Sequence, residues 1–168
     1  MSASNSIARR LVEFGGNLAA YVFLPGLALT SIFDIATRRF LQLGSTPLQE
    51  LTWHFFFAAV MFGIGLTYLN DQHVRVDVLR QKLSPVWCEA TERTLLIVLL
   101  IPLSLIIIWF GGRMAWISYL QDEGSRAALG LSYRWVIKAA LPIGALLLLF
   151  AACCRLWRTG QRDRGDSS

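Results

Sequence analysis

Residues 95–116 read LLIVLLIPLSLIIIWFGGRMAW, twenty-two positions with one formal charge, Arg113. A helix rises 1.5 Å per residue, so about 20 residues cross a hydrocarbon core ~30 Å thick. Three other stretches reach that length. Phe14–Phe33 and Leu51–Asn70 are twenty residues each without a formal charge, and Val136–Cys154 is nineteen with only Lys138. Lipid offers the backbone no hydrogen-bond partners, so runs of this kind must satisfy themselves as helices. A transmembrane barrel would alternate polar and apolar positions over segments of about ten residues, and these runs do not. The reading is an all-α fold, an integral membrane four-helix bundle in one transmembrane domain, with spans at approximately 14–33, 51–70, 95–116 and 136–154.

The composition agrees once it is divided. Over 168 residues the chain is 55% hydrophobic and 16% charged, with mean hydropathy +0.50. The four runs total 81 residues and hold two formal charges; the other 87 hold 25, about 29%, which is ordinary for water-facing segments. Intrinsic disorder is excluded by the apolar content. Three cysteines cannot build a disulfide framework. The first run follows Arg9 and Arg10, as a signal peptide would, but it is too long for an h-region and no small-x-small site closes it. It reads as a retained first helix; Gly15, Gly16 and Gly26 are read either as points of close helix approach, with Pro25 as a kink, or equally as the glycine and proline ordinary in membrane helices.

Four spans place both termini and the 71–93 connection on one side. That side carries ten basic residues, among them Arg9, Arg10, Arg75, Arg80 and Arg155; the other carries five: Arg38, Arg39, Arg126, Arg134 and Lys138. The positive-inside rule then puts both termini in the cytoplasm. The stretch 155–168 reads as a flexible cytoplasmic tail. The net charge of +5 is accounted for by membrane lipids of anionic type, with no nucleic acid required.

Local signals set the boundaries. Thr46, Pro47 and Gln49 predict a capping box with proline at the first helical position of span 2. Ser84-Pro85 predicts a helix start leading into span 3. Between them, His73-Val74-Arg75-Val76-Asp77-Val78-Leu79-Arg80 interleaves charged and apolar residues. It predicts a short interfacial segment between helices 2 and 3, apolar side chains down and arginines snorkelling outward. Trp53, Trp87, Trp116, Tyr119, Tyr133, Trp135 and Trp157 fall near predicted interfaces, as an aromatic belt does.

Chemistry-bearing groups are few. His54 and His73 are the only histidines. On a continuous helix they lie nineteen positions, about 28 Å, apart and cannot share a haem. Cys153-Cys154 admits two readings, lipidation or small inert packing; Cys88 stands alone. No catalytic, substrate-binding or metal residue and no cofactor is expected. The polar residues that do gather are Asp34, Arg38, Arg39, Glu50, His54, Arg113 and Lys138, all toward the outer side. An unpaired charge in a span is costly, about 2.5–3.5 kcal/mol at the centre on insertion scales. Asp34 and Glu50 are therefore expected to meet Arg113, Lys138 or Arg38 across the bundle. One reading of the cluster is an ion or proton site; the other is a structural clamp. The apolar middles of the spans favour the clamp, since a transport path usually has polar groups or broken helices at the midplane.

The pattern resembles the small membrane subunit of tripartite ATP-independent periplasmic (TRAP) transporters, the DctQ-like family. The resemblance rests on four spans with both ends inside and on His73-Val74-Arg75-Val76-Asp77 after the second. Arg38-Arg39-Phe40, Glu50-Leu51, Trp135 and Pro142-Ile143-Gly144 agree with it, over residues 10–157 or so. Ser132 departs, at a position where the family often has proline. The resemblance implies a bacterial inner-membrane subunit for sodium-coupled organic acid uptake, without enzymatic activity. Its implied partners are a large TRAP membrane subunit, which moves as an elevator and carries the substrate and sodium sites, and a periplasmic solute-binding protein. The small subunit is then a scaffold. In that frame His73, Arg75 and Asp77 either contact the large subunit or simply solvate a turn. The alternatives are a membrane anchor of a redox complex and a self-contained small-solute transporter. No residue distinguishes dicarboxylates from sialic acids or other sugar acids as the solute.

Overall fold

The computed structural model describes residues 3–42, 44–70, 91, 93–125, 127 and 130–165, and all regular structure among them is helical. The first rod consists of α1 (Ala3–Leu18) and α2 (Leu24–Phe40), joined without a break by a wide π-helical turn at Ala19–Phe23. α3 is Thr46–Leu69, α4 is Ile101–Leu120 and α5 is Trp135–Gly165. A second π-helical turn, Leu96–Leu100, leads into α4. Four helices, Ile7–Phe40, Thr46–Leu69, Arg93–Leu120 and Trp135–Trp157, are long and apolar enough to cross a membrane.

The helices outrun the apolar stretches. The first continues through Asp34, Arg38 and Arg39 to Phe40, so Asp34 lies inside it and not at its end. The polar tail carries α5 on as far as Gly165. The start of α3 also differs from expectation. Ser45, in extended conformation (φ −112°, ψ 109°), is the cap residue, and no side chain caps the helix. The helix therefore begins one residue earlier than a Thr46 cap would allow. Pro47 has no N–H, so one of the donors a capping side chain would satisfy is absent. The interfacial segment expected between spans 2 and 3, with His73, Arg75, Asp77, the Ser84-Pro85 start and Trp87, lies outside the described residues.

At Pro25, the position expected to kink, the helical hydrogen-bond pattern changes. Proline cannot donate to the helix ladder, and its ring crowds the preceding turn. Just before it, the Leu24 N–H bonds back five residues to the Ala19 carbonyl. Ile101, just before Pro102, does the same to Leu96. The extra residue in each turn relieves the crowding.

The arrangement is not a square. α5 is central and packs against α4, α3 and α1; α3 also packs against α1 and α2. The third span rests chiefly on α5. Small residues dominate the interior: Ala58, Ala59 and Gly65 on α3, Ala140, Gly144, Ala145, Ala151 and Ala152 on α5, and Ser104, Gly111 and Ser118 on α4. In lipid, apolar burial gives helices little reason to associate, so close van der Waals contact through small residues takes its place. Backbone meets backbone closely where α3 crosses α5. A Cβ on Gly144 would stand 2.6 Å from the Met61 carbonyl oxygen, and one on Gly65 would stand 3.1 Å from the Leu147 backbone. Leu147, 8% exposed, fills the space left by Gly15 of α1 and Gly65 of α3. Gly16 accommodates Leu66, and Gly26 faces the Phe55 ring. Of the two readings of Gly15, Gly16 and Gly26, close approach is thus the one met by named neighbours.

Candidate functional site

Among the described residues, one end of the bundle gathers the polar contacts between loop and helix. It contains the end of α2, the start of α3, the end of α4, the start of α5 and the loops between them. Three non-glycine residues there adopt left-handed backbone: Gln42 (φ 52°), Asp122 (φ 45°) and Tyr133 (φ 64°). Asp122 closes α4 in a Schellman turn. Its N–H bonds to the Tyr119 carbonyl at 3.2 Å, and the Glu123 N–H to the Ser118 carbonyl at 3.1 Å. The chain is thereby turned back over the bundle.

The loop that follows is fastened to itself and to α3. The Ser125 N–H bonds to the Leu131 carbonyl at 3.0 Å, and the Arg134 N–H to the Glu123 carbonyl at 3.1 Å. Glu50, in the second turn of α3, receives the loop. One carboxylate oxygen accepts from the Ser125 hydroxyl, the other from the Leu131 N–H at 2.7 Å. The Ser125 oxygen itself accepts from the Ala127 N–H at 3.2 Å. Gly130 sits where any Cβ would overlap the Ser125 side chain and lie 3.0 Å from Glu50 Oε1. His54, one turn on from Glu50, donates from Nδ1 to the Glu50 backbone carbonyl at 2.5 Å; a carbonyl only accepts, so the proton is on Nδ1.

A second fastening joins the loop to α5. Lys138 forms an ion pair with Glu123. The Lys138 ammonium holds the Glu123 carboxyl below its ordinary value of 4.5. Folding therefore favours the ionised form. That contribution is complete above the unfolded value and is lost as pH falls through the lower folded value. Between about pH 5 and pH 3, melting of the detergent-solubilised protein should decline less in Glu123→Gln than in the wild type. Equal slopes would show that the pair carries no acid sensitivity.

The expected ion pairs are met in part: Arg38, one of the cations named for Asp34, does pair with it, but not across the bundle. Asp34 pairs with Arg38 on its own helix at 2.8 Å, four residues apart and so on the same face. Its side chain is 14% exposed, and its Oδ1 is buried without a hydrogen-bond partner among the described residues. Glu50 is met by a hydroxyl and a backbone N–H where a cation from another span was expected. The reason is the loop, which folds over the start of α3 and reaches Glu50 first. Lys138 turns to Glu123, Arg39 is exposed at the end of α2, and Arg113 is exposed on α4. The structure thus brings Glu50 and His54 together, places Lys138 in the adjoining loop contact and leaves Asp34–Arg38, Arg39 and Arg113 apart. In the sequence Gly124 and Gly130 mark a polar loop, but Glu123, Ser125 and Leu131 are not singled out; a serine and two glycines signal a turn but not its partner.

Aromatic residues frame this end. Trp116 and Tyr119 have ring centroids 5.9 Å apart, and Tyr119 meets Trp135 edge-on at 5.4 Å. At the opposite end Arg155 lies over the Tyr68 ring, 5.6 Å from its centroid.

The sequence profile of one family, described as tripartite ATP-independent periplasmic transporters, DctQ component, matches residues 27–162. The chain belongs to the DctQ family. The matched region takes in α3, α4 and the apolar length of α5, together with most of α2 and the Glu50 loop contact. No curated protein sequence matches the chain at a significant level. As a DctQ-family protein with four helices of membrane-crossing length, it is a multi-pass membrane protein and a TRAP transporter small subunit. The family is a transporter component and not an enzyme family.

Proposed function

We propose that this chain is the scaffold of a sodium-coupled, binding-protein-dependent TRAP transporter for organic acid uptake. It braces the large elevator subunit and does not itself bind solute. The observation that carries this reading is the match to the DctQ family over residues 27–162. The distribution of polar contacts supports it. They fasten loop to helix at one end, while the centre is glycine and alanine in close contact, a construction suited to rigidity. In this reading the protein lies in a bacterial inner membrane with both termini cytoplasmic and its polar end periplasmic. Its partners are the large membrane subunit and the periplasmic solute-binding protein. The segment with His73, Arg75 and Asp77 is proposed as a subunit contact. The cluster of Asp34, Arg38, Arg39, Glu50, His54, Arg113 and Lys138 is proposed to act structurally.

The test is co-expression with a tagged large TRAP membrane subunit from the same genome and extraction in mild detergent. The expected result is a stable complex of the two membrane chains, with weaker capture of the soluble receptor. Recovery of the small chain only as a monomer or homodimer would contradict the proposal.

A further inference from the structure

Among the described residues Arg113 is a cation within a span that no carboxylate of the bundle meets. It is exposed on α4, seven residues and so about 10 Å before that helix ends at Leu120. α4 meets α5 along a seam of Ser104, Gly111 and Ser118, all buried. Successive residues turn about 100° around a helix, which puts Arg113 nearly opposite that seam. The same outward face carries Ile106, Trp109, Phe110, Ile117 and Leu120, all exposed. It is an apolar stripe with one fixed positive charge. A guanidinium cannot shed its proton to escape this setting, so it must reach interfacial water or an anion, and the leaflet offers phosphate at that level.

The described carboxylates at this end are committed elsewhere. Asp34 is held by Arg38, Glu123 by Lys138, and Glu50 by Ser125 and Leu131. Asp122 is exposed beyond the end of α4, nine residues and about 13 Å along the axis from Arg113. The aromatic group Trp116, Tyr119 and Trp135 marks the headgroup level just above. A long basic side chain at a depth of about 10 Å reaches that level by snorkelling, while the bilayer thins locally to meet it.

We infer that the outward face of α4 is a phospholipid site, in which the Arg113 guanidinium binds the phosphodiester and the Ile106–Leu120 stripe takes the acyl chains. The ligand class is a diacyl phospholipid of the leaflet at the polar end. The charge sets the requirement for a phosphate, and the five apolar neighbours set the requirement for a lipid.

The test uses the purified full-length chain. It is exchanged into mixtures with palmitoyl-oleoyl phosphatidylglycerol or with the diacylglycerol of the same chains, and retained lipid is counted by native mass spectrometry. The wild type should keep one phosphatidylglycerol more than Arg113→Gln, with Arg113→Lys in between and diacylglycerol retention equal in all three. Because Arg113 is exposed, the variants should match the wild type by circular dichroism. Equal phosphatidylglycerol retention in Arg113→Gln would overturn the inference. So would a parallel loss of diacylglycerol, which would mean an apolar groove without phosphate recognition. Unchanged lipid retention with lost capture of the large permease would also overturn it, by assigning Arg113 to a carboxylate on that partner.

Discussion

Replacing Gly144 with leucine is expected to abolish the folded bundle, and even Gly144→Ala should destabilise it. The methyl group of alanine would sit 2.6 Å from the Met61 carbonyl oxygen and 2.8 Å from its Cβ. The obstacle is the backbone of α3, which cannot swing aside as a flexible side chain would. The two helices must separate, and the contacts of Leu147 with Gly15 and Gly65 loosen with them. Overpacking a tight interior costs about 1–3 kcal/mol for small additions. In lipid there is no compensating hydrophobic gain, because the added methyl is as well solvated by acyl chains as by protein. Gly112 is the control. A Cβ there would meet nothing within 4 Å. Thermal melting in detergent should fall sharply for Gly144→Ala, should show no cooperative transition for Gly144→Leu, and should barely change for Gly112→Leu. Similar melting of all three would mean that α3 and α5 do not cross at Gly144.

The second large effect is expected at Glu50. Glu50→Ala strands two donors, the Ser125 hydroxyl and the Leu131 N–H, at about 1–3 kcal/mol for each group left without a partner. Glu50→Gln keeps one acceptor but turns an amide N–H₂ toward a donor, so it should retain only part of the stability. The loop should then release from α3. Amide hydrogen exchange at Leu131 is the direct readout and should accelerate in both variants, more in Glu50→Ala. Ser125→Ala combined with Glu50→Ala should cost less than the sum of the single changes, because the two groups share one bond. Full additivity would separate them.

The fold was legible because its cause is coarse. Four runs of about twenty uncharged residues leave few structures that satisfy the backbone in lipid. The close approach at Gly15 and Gly16 was one of two equal readings, since glycine is common in membrane helices whether or not a neighbour packs on it. The polar cluster was only half legible. Glu50 and His54 share a face by helical spacing, and that spacing is a local property. The partners of Glu50 lie 75 and 81 residues away in a loop whose path depends on the left-handed turn at Asp122. No periodicity encodes that path. Charge counting pointed to cations as partners, whereas the chain used a serine and a backbone N–H. Counting also treated Arg113 as a member of the cluster, although its angle relative to the Gly111 seam already directs it outward.

The central claim is that this DctQ-family protein braces a carrier and is not itself one. Proteoliposomes settle it most directly: the small chain alone, the large permease alone, and both together, each with the solute-loaded receptor and an inward sodium gradient. The account predicts uptake of the organic acid only when both membrane chains are present, and none from the small chain alone. Sodium-driven uptake by the small chain without its partner would contradict it.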